Sequence, residues 1–239
     1  MSSRNSALDP KRLSQSWQSV ASRIDHTNLR PEATLSQIVR LCEEAREFGF
    51  GAVMINPCYV ALACEQLRGS RVKVGAVVGF PLGATLTAVK VLETRETLNL
   101  GAREIDMVMN IGWLKSGGKE KVLSDIQAVA EVVHADHALL KVILETGLLA
   151  NEEKLVACEI SERAGADFVK TSTGFLGGVA TVEDVALMRR AVRIGVKASG
   201  GIRTADEARR MLEAGADRLG TSSGVQIVSE LRSEEAGRP

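Results

Sequence analysis

The sequence predicts a closed (β/α)8 barrel of the α/β class, and three observations carry that prediction. Short β-rich runs alternate with helix-period segments at a spacing of roughly 25 residues. One strand-and-loop unit, AGADFVKTSTG at 164–174, returns 50 residues later as AGADRLGTSSG at 214–224. No G-x-G-x-x-G follows the first run, so the main signal for an open dinucleotide-binding sheet is missing. An echo of that length spans two units and relates strand six to strand eight. Barrel interiors stack side chains from alternate strands, which makes that relation natural.

The expected strands lie near 22–26, 51–56, 72–78, 103–109, 138–144, 167–170, 194–198 and 217–220. Between them, TLSQIVRLCEEAREF (34–48) places Leu35, Ile38, Val39, Leu41, Cys42 and Ala45 on one helical side. VEDVALMRRAV (182–192) does the same with Val182, Val185, Ala186, Met188 and Val192. Gly49, Gly101, Gly165 and Gly215 each follow a helical segment and read as helix stops. The expected organisation is an N-terminal extension over 1–21, one catalytic barrel over 22–231 and a polar tail over 232–239. Asp9-Pro10 is placed to open a short helix in the extension, with proline at its first position.

At 239 residues the chain can bury a large core, and its thirty basic and thirty acidic residues cancel without long runs of either sign. Nothing favours nucleic acid or an anionic membrane. The start MSSRNSALDP carries no apolar signal core and no stretch is apolar enough to span a bilayer, so a cytoplasmic protein is expected. Cys42, Cys58, Cys64 and Cys158 form no C-x-x-C pair, and His134 and His137 flank Asp136 at a helix end, which reads as a solvated turn. No metal and no cofactor are expected. Oligomeric state is left open, a homodimer being among the arrangements allowed.

In such barrels the site lies at the C-terminal strand ends. Lys170 and Lys197 stand there in apolar strands, although lysine is seldom buried unless paired or functional. Each amine has two readings, a pairing with Asp106 or Asp25 inside the barrel, or chemistry. In REIDMVMN (103–110), Ile105, Met107 and Met109 alternate with Asp106, Val108 and Asn110. With the methionines packed outward, Asp106 and Asn110 point into the barrel. Lys141 and Glu145 share one face of KVILE (141–145), as a buried pair or with a direct role. Ser199-Gly200-Gly201 and GTSSG (220–224) offer bare backbone N–H groups and hydroxyls after strands seven and eight, each leading into a helix. That is where this fold holds phosphate. Gly220, the counterpart of Lys170 in the repeat, is expected to leave room for that phosphate. An amine facing a phosphorylated sugar points to Schiff-base chemistry.

EIDMVM (104–109), LLKVILETG (139–147), DFVKTSTG (167–174) and VKASGGIR (196–203) together resemble the deoxyribose-phosphate aldolases, class I aldolases of (β/α)8 type, over about residues 22–228. The resemblance implies reversible cleavage of 2-deoxy-D-ribose 5-phosphate to D-glyceraldehyde 3-phosphate and acetaldehyde. It makes Lys170 the Schiff-base lysine, Lys197 the second lysine that tunes it, Asp106 the aspartate of the proton relay and Asp25 its support. Gly200, Gly201, Ser222 and Ser223 match phosphate-binding positions, and Thr173 joins them. Phe175 stands where some members carry a further lysine, and SELRSEEAGRP (229–239) lacks the tyrosine that ends many members.

Overall fold

A computed structural model describes residues 16–237. Eight parallel strands close into a barrel in chain order, β8 pairing back with β1. They are β1 (Ile24–Asn28), β2 (Ala52–Ile55), β3 (Lys73–Val78), β4 (Glu104–Val108), β5 (Leu139–Ile143), β6 (Phe168–Lys170), β7 (Gly195–Ser199) and β8 (Arg218–Thr221). Each overlaps its expected run. Around them lie α1 (Trp17–Ala21), α2 (Leu35–Phe48), α3 (Val60–Gln66), α4 (Thr87–Asn99), α5 (Ile111–Lys115), α6 (Lys119–Ala135), α7 (Asn151–Arg163), α8 (Val182–Ala191), α9 (Ala205–Glu213) and α10 (Gly224–Ala236). No helix among the described residues is long and apolar enough to cross a membrane.

Strand alternation sorts the side chains. Val53, Ile105, Met107, Leu140, Val142, Val169, Val196 and Leu219 face the helices and join the main apolar core. The opposite set fills the barrel and is unequal around its circumference. A small apolar cluster of Met54, Val77 and Leu29, with Phe80 against it, lies on the β2–β3 side. Strands β1 and β4 to β8 contribute charged side chains instead. Glycines make room for their large neighbours: a Cβ on Gly75 would strike the Met54 tip at 2.5 Å, and one on Gly195 the Phe168 ring at 2.2 Å.

Helix ends follow local chemistry. Thr34 caps α2 in a reciprocal box with Gln37, and Gly49 ends it with φ 69°, in the left-handed region glycine adopts without a steric cost. One terminal expectation changes. The stretch 232–236, expected to be a polar tail, is the last part of α10. Its polar residues are used: Glu235 accepts from the Trp17 N–H at 2.7 Å and Arg232 lies over the Trp17 ring at 5.0 Å, so α1 docks on α10. Asp9-Pro10 lies outside the described residues.

Candidate active site

The charged interior is one connected cluster. Lys170 ends β6 at 2% exposure and donates to Asp106 Oδ2 at 2.8 Å. Lys197, its register partner on β7, donates to the same oxygen at 2.7 Å and to Asp25 on β1. Lys141 reaches Glu104 at 2.5 Å, Asp106 at 3.2 Å and Asp25 at 3.4 Å. Arg218 holds Asp25 through Nε at 2.9 Å and Glu104 at 3.3 Å. Four cations therefore meet three carboxylates. The cluster is neutral only if one cation gives up its proton.

Electrostatics select which one. Burial drives the Lys170 amine down to about 8, and Lys197 adds to that against the opposing pull of Asp106. Burial would also lower Lys141, but Asp106, Asp25 and Glu104 outweigh it and hold that amine above the usual lysine range. Arg218 is held up in the same way by Asp25 and Glu104. Burial would raise Asp25 and Asp106, yet Lys141 and the cations beside them keep both carboxyls well below the usual range. With Lys170 neutral, three cations balance three carboxylates.

Above the cluster opens a cleft of about 580 Å³ at the C-terminal strand ends. Thr173, Gly200, Gly201, Ser222 and Gly220 line it, whereas Ser223 and Lys170 do not. Gly200 and Gly201 have φ of 101° and 79°, which turns the chain after β7 along the cleft. The two helix N-termini expected to serve an anion differ. At α9, Glu207 accepts from the N–H groups of Arg203 and Thr204, and Glu230 from that of Ala205. At α10 no side chain caps the first turn, so its N–H groups are open. Arg203, which sequence reasoning passed over, also lines the cleft.

Several expectations need correction. A Cβ on Gly220 would meet Ser199 Oγ at 2.9 Å and Lys197 Cε at 3.0 Å, so this glycine makes room for the second lysine as well as the cleft. Asn110 caps α5 by accepting from the Trp113 N–H at 3.1 Å. Lys141 and Glu145 are not a pair. Glu145 leaves the strand with φ 56° and ψ 63°, and its Oε2 accepts from Thr173 N at 3.0 Å and Thr173 Oγ1 at 2.5 Å. Glu104 and Arg218 were missed, although each stands two residues before an inward position, Asp106 and Gly220, and shares its parity.

The arrangement has counterparts among known proteins. The model of the DeoC/LacD family of aldolases matches residues 19–230. This chain belongs to that aldolase family. The deoxyribose-phosphate aldolase of Caldanaerobacter subterraneus subsp. tengcongensis is 55% identical over 227 residues, covering 93% of this chain and 98% of that protein. That of Thermococcus gammatolerans is 56% identical over 220 residues, with 90% and 98% covered. A crystal structure of a putative deoxyribose-phosphate aldolase from Coccidioides immitis superposes with a TM-score of 0.88 at 47% identity, covering 91% of this chain and 87% of that one. The deoxyribose phosphate aldolase of Aeropyrum pernix, described as a unique tetramer, superposes with 0.86 at 36% identity, covering 92% and 93%. Against the family pattern, Phe175 packs edge-on to Phe80 with centroids 5.1 Å apart. Tyr59, the one tyrosine in the sequence, donates to Ala33 O at 2.5 Å and holds the entry to α2.

Proposed function

We propose that the chain is a class I aldolase that reversibly cleaves 2-deoxy-D-ribose 5-phosphate to D-glyceraldehyde 3-phosphate and acetaldehyde. The observation that carries this reading is the cation excess around Lys170, whose amine burial brings to about 8. A value lowered in this way leaves far more of the amine neutral and nucleophilic near pH 7 than in an ordinary lysine.

In this reading the neutral Lys170 Nζ attacks C1 of the open-chain sugar and the carbinolamine loses water to a protonated imine. Acetaldehyde has two carbons, so the bond that breaks is C2–C3. Its electron pair moves into the imine to form an enamine, and the C3 hydroxyl gives up its proton as glyceraldehyde 3-phosphate leaves. The enamine takes a proton at C2, and water releases acetaldehyde and the free amine. Asp106, bridging Lys170 and Lys197, is the group proposed to pass protons with Lys197, through water, and Asp25 supports Lys197. Thr173, Gly200, Gly201, Ser222 and Ser223, with the open start of α10, are proposed to hold the phosphate. A synthesis assay tests the reading: acetaldehyde and glyceraldehyde 3-phosphate should be consumed together to give 2-deoxyribose 5-phosphate. Consumption only with a different donor would replace it.

A second copy of the chain is the proposed protein partner, as a homodimer. Supporting this, Leu86 before α4 and Val89 and Leu92 on it are 68%, 46% and 58% exposed, while Lys90, Thr94 and Thr97 are buried beside Leu98. Sedimentation at the protomer mass would remove that partner. The proposed compartment is the cytoplasm, which suits the buried free thiols of Cys42 and Cys158.

A further inference from the structure

Glu145 is buried with no exposed surface and makes no ion pair among the described residues. Its backbone is left-handed, a conformation that costs a side-chain-bearing residue energy and persists only where the surroundings impose it. The turn it makes aims the carboxylate away from the lysines of the barrel and under the loop 171–181, between β6 and α8. There Oε2 takes both the N–H and the hydroxyl of Thr173. With its proton committed to Glu145, the Thr173 hydroxyl is left as an acceptor, and it takes the Phe175 N–H at 3.1 Å. The far part of the loop is fitted to the same acid: a Cβ on Gly178 would stand 2.8 Å from Glu145 Oε1. Ala180 N then closes the loop onto Gly200 O at 2.9 Å. Thr173, Gly174 and Phe175 are one wall of the cleft, facing Gly200, Gly201 and Ser222.

We infer that Glu145 is a positioning residue that orients the Thr173 hydroxyl and so shapes the cleft wall on the phosphate side, giving preference for phosphorylated over unphosphorylated substrates. The inference rests on the aldolase reading above. An acceptor oxygen at this place is needed because two donors, the Thr173 N–H and its hydroxyl, converge on Oε2. Its effect falls on substrate binding and not on the amine, since Lys170 meets Asp106 and not Glu145.

The test compares the parent with Glu145→Gly, which removes the acid while suiting the left-handed backbone, and with Glu145→Gln, which keeps an acceptor oxygen. Three quantities are read: borohydride-trapped acetaldehyde on Lys170, KM for 2-deoxyribose 5-phosphate and KM for 2-deoxyribose. Glu145→Gly should still trap acetaldehyde, raise KM for the phosphorylated sugar by about 10-fold or more and leave that for the free sugar within about 2-fold. Glu145→Gln should recover most of the loss. Thr173→Val should mimic Glu145→Gly, and the double variant should lose no more than either single one. Equal losses on both sugars, additive losses in the double variant, unchanged kinetics, or loss of trapping in Glu145→Gly would each overturn the inference. A parent that traps no acetaldehyde would instead overturn the aldolase reading.

Discussion

Two lysines in this molecule are buried to nearly the same extent and differ in their company. Lys90, on α4, is fully buried between helix and barrel, where its Nζ donates to Asp125 at 2.6 Å and to Val108 O at 3.0 Å. Asp125 in turn accepts from Thr87 at 2.7 Å. That is one cation with one carboxylate. Lys170 has equal burial and one carboxylate, but it shares that carboxylate with Lys197 and Lys141. Burial lowers both amines. What separates them is the surplus of positive charge around Lys170, which stands at a C-terminal strand end of the barrel. A buried lysine alone is no sign of chemistry; a buried lysine in excess is.

The largest expected effect comes from removing the surplus. Lys170→Leu leaves three cations against three carboxylates, so the barrel should stay folded by near-UV circular dichroism while kcat falls by about 10⁴-fold or more. Unfolding of this variant would mean the amine is structural, like that of Lys90.

Removing the neighbour sharpens the contrast. The reactive form of Lys170 is the neutral one, and its pKa is lowered, so kcat/KM falls as pH drops through about 8. Lys197→Leu deletes a cation that pushes this value down. The acidic limb should then move alkaline by about one to two pH units. A limb that stays in place would leave Lys197 as a proton carrier only.

The next effect concerns access. Ser223 precedes the open N-terminus of α10, and Ser223→Asp sets a carboxylate against the phosphate at a position where Asp is well tolerated. KM for 2-deoxyribose 5-phosphate should rise by about 10- to 100-fold with little change for 2-deoxyribose. Equal changes would move the phosphate elsewhere.

The smallest effect on catalysis belongs to Lys90. Lys90→Met strands Asp125 without its partner and should cost about 3 kcal/mol, lowering Tm by roughly 6–12 °C. The double change Lys90→Met/Asp125→Leu should restore most of that loss. Neither should move the acidic limb. A shifted limb would couple the two lysine sites.

The same pair shows what was legible in the sequence. Strand runs, helix stops and the inward parity of Asp106 follow from period-two and period-3.6 patterning, and the repeat located Lys170 against Gly220. Lys90 was not legible, because α4 buries Lys90, Thr94 and Thr97 beside Leu98 and leaves Val89 and Leu92 exposed, blurring the pattern that marks a helix's inner face. Glu104 and Arg218 share the parity of residues that were singled out, but only the closed register brings the charges of six strands, β1 and β4 to β8, together. Of the two readings of Lys141 and Glu145, the pair fails because strand alternation stops where the Glu145 backbone turns left-handed.

Four lysines are fully buried among the described residues: Lys90, Lys141, Lys170 and Lys197. Incubation with acetaldehyde and borohydride, followed by peptide mapping, asks all four at once which amine is neutral and within reach. A single two-carbon adduct is expected on the peptide carrying Lys170, and none on the other three. An adduct on Lys197 or Lys90, or equal labelling of several lysines, would contradict it.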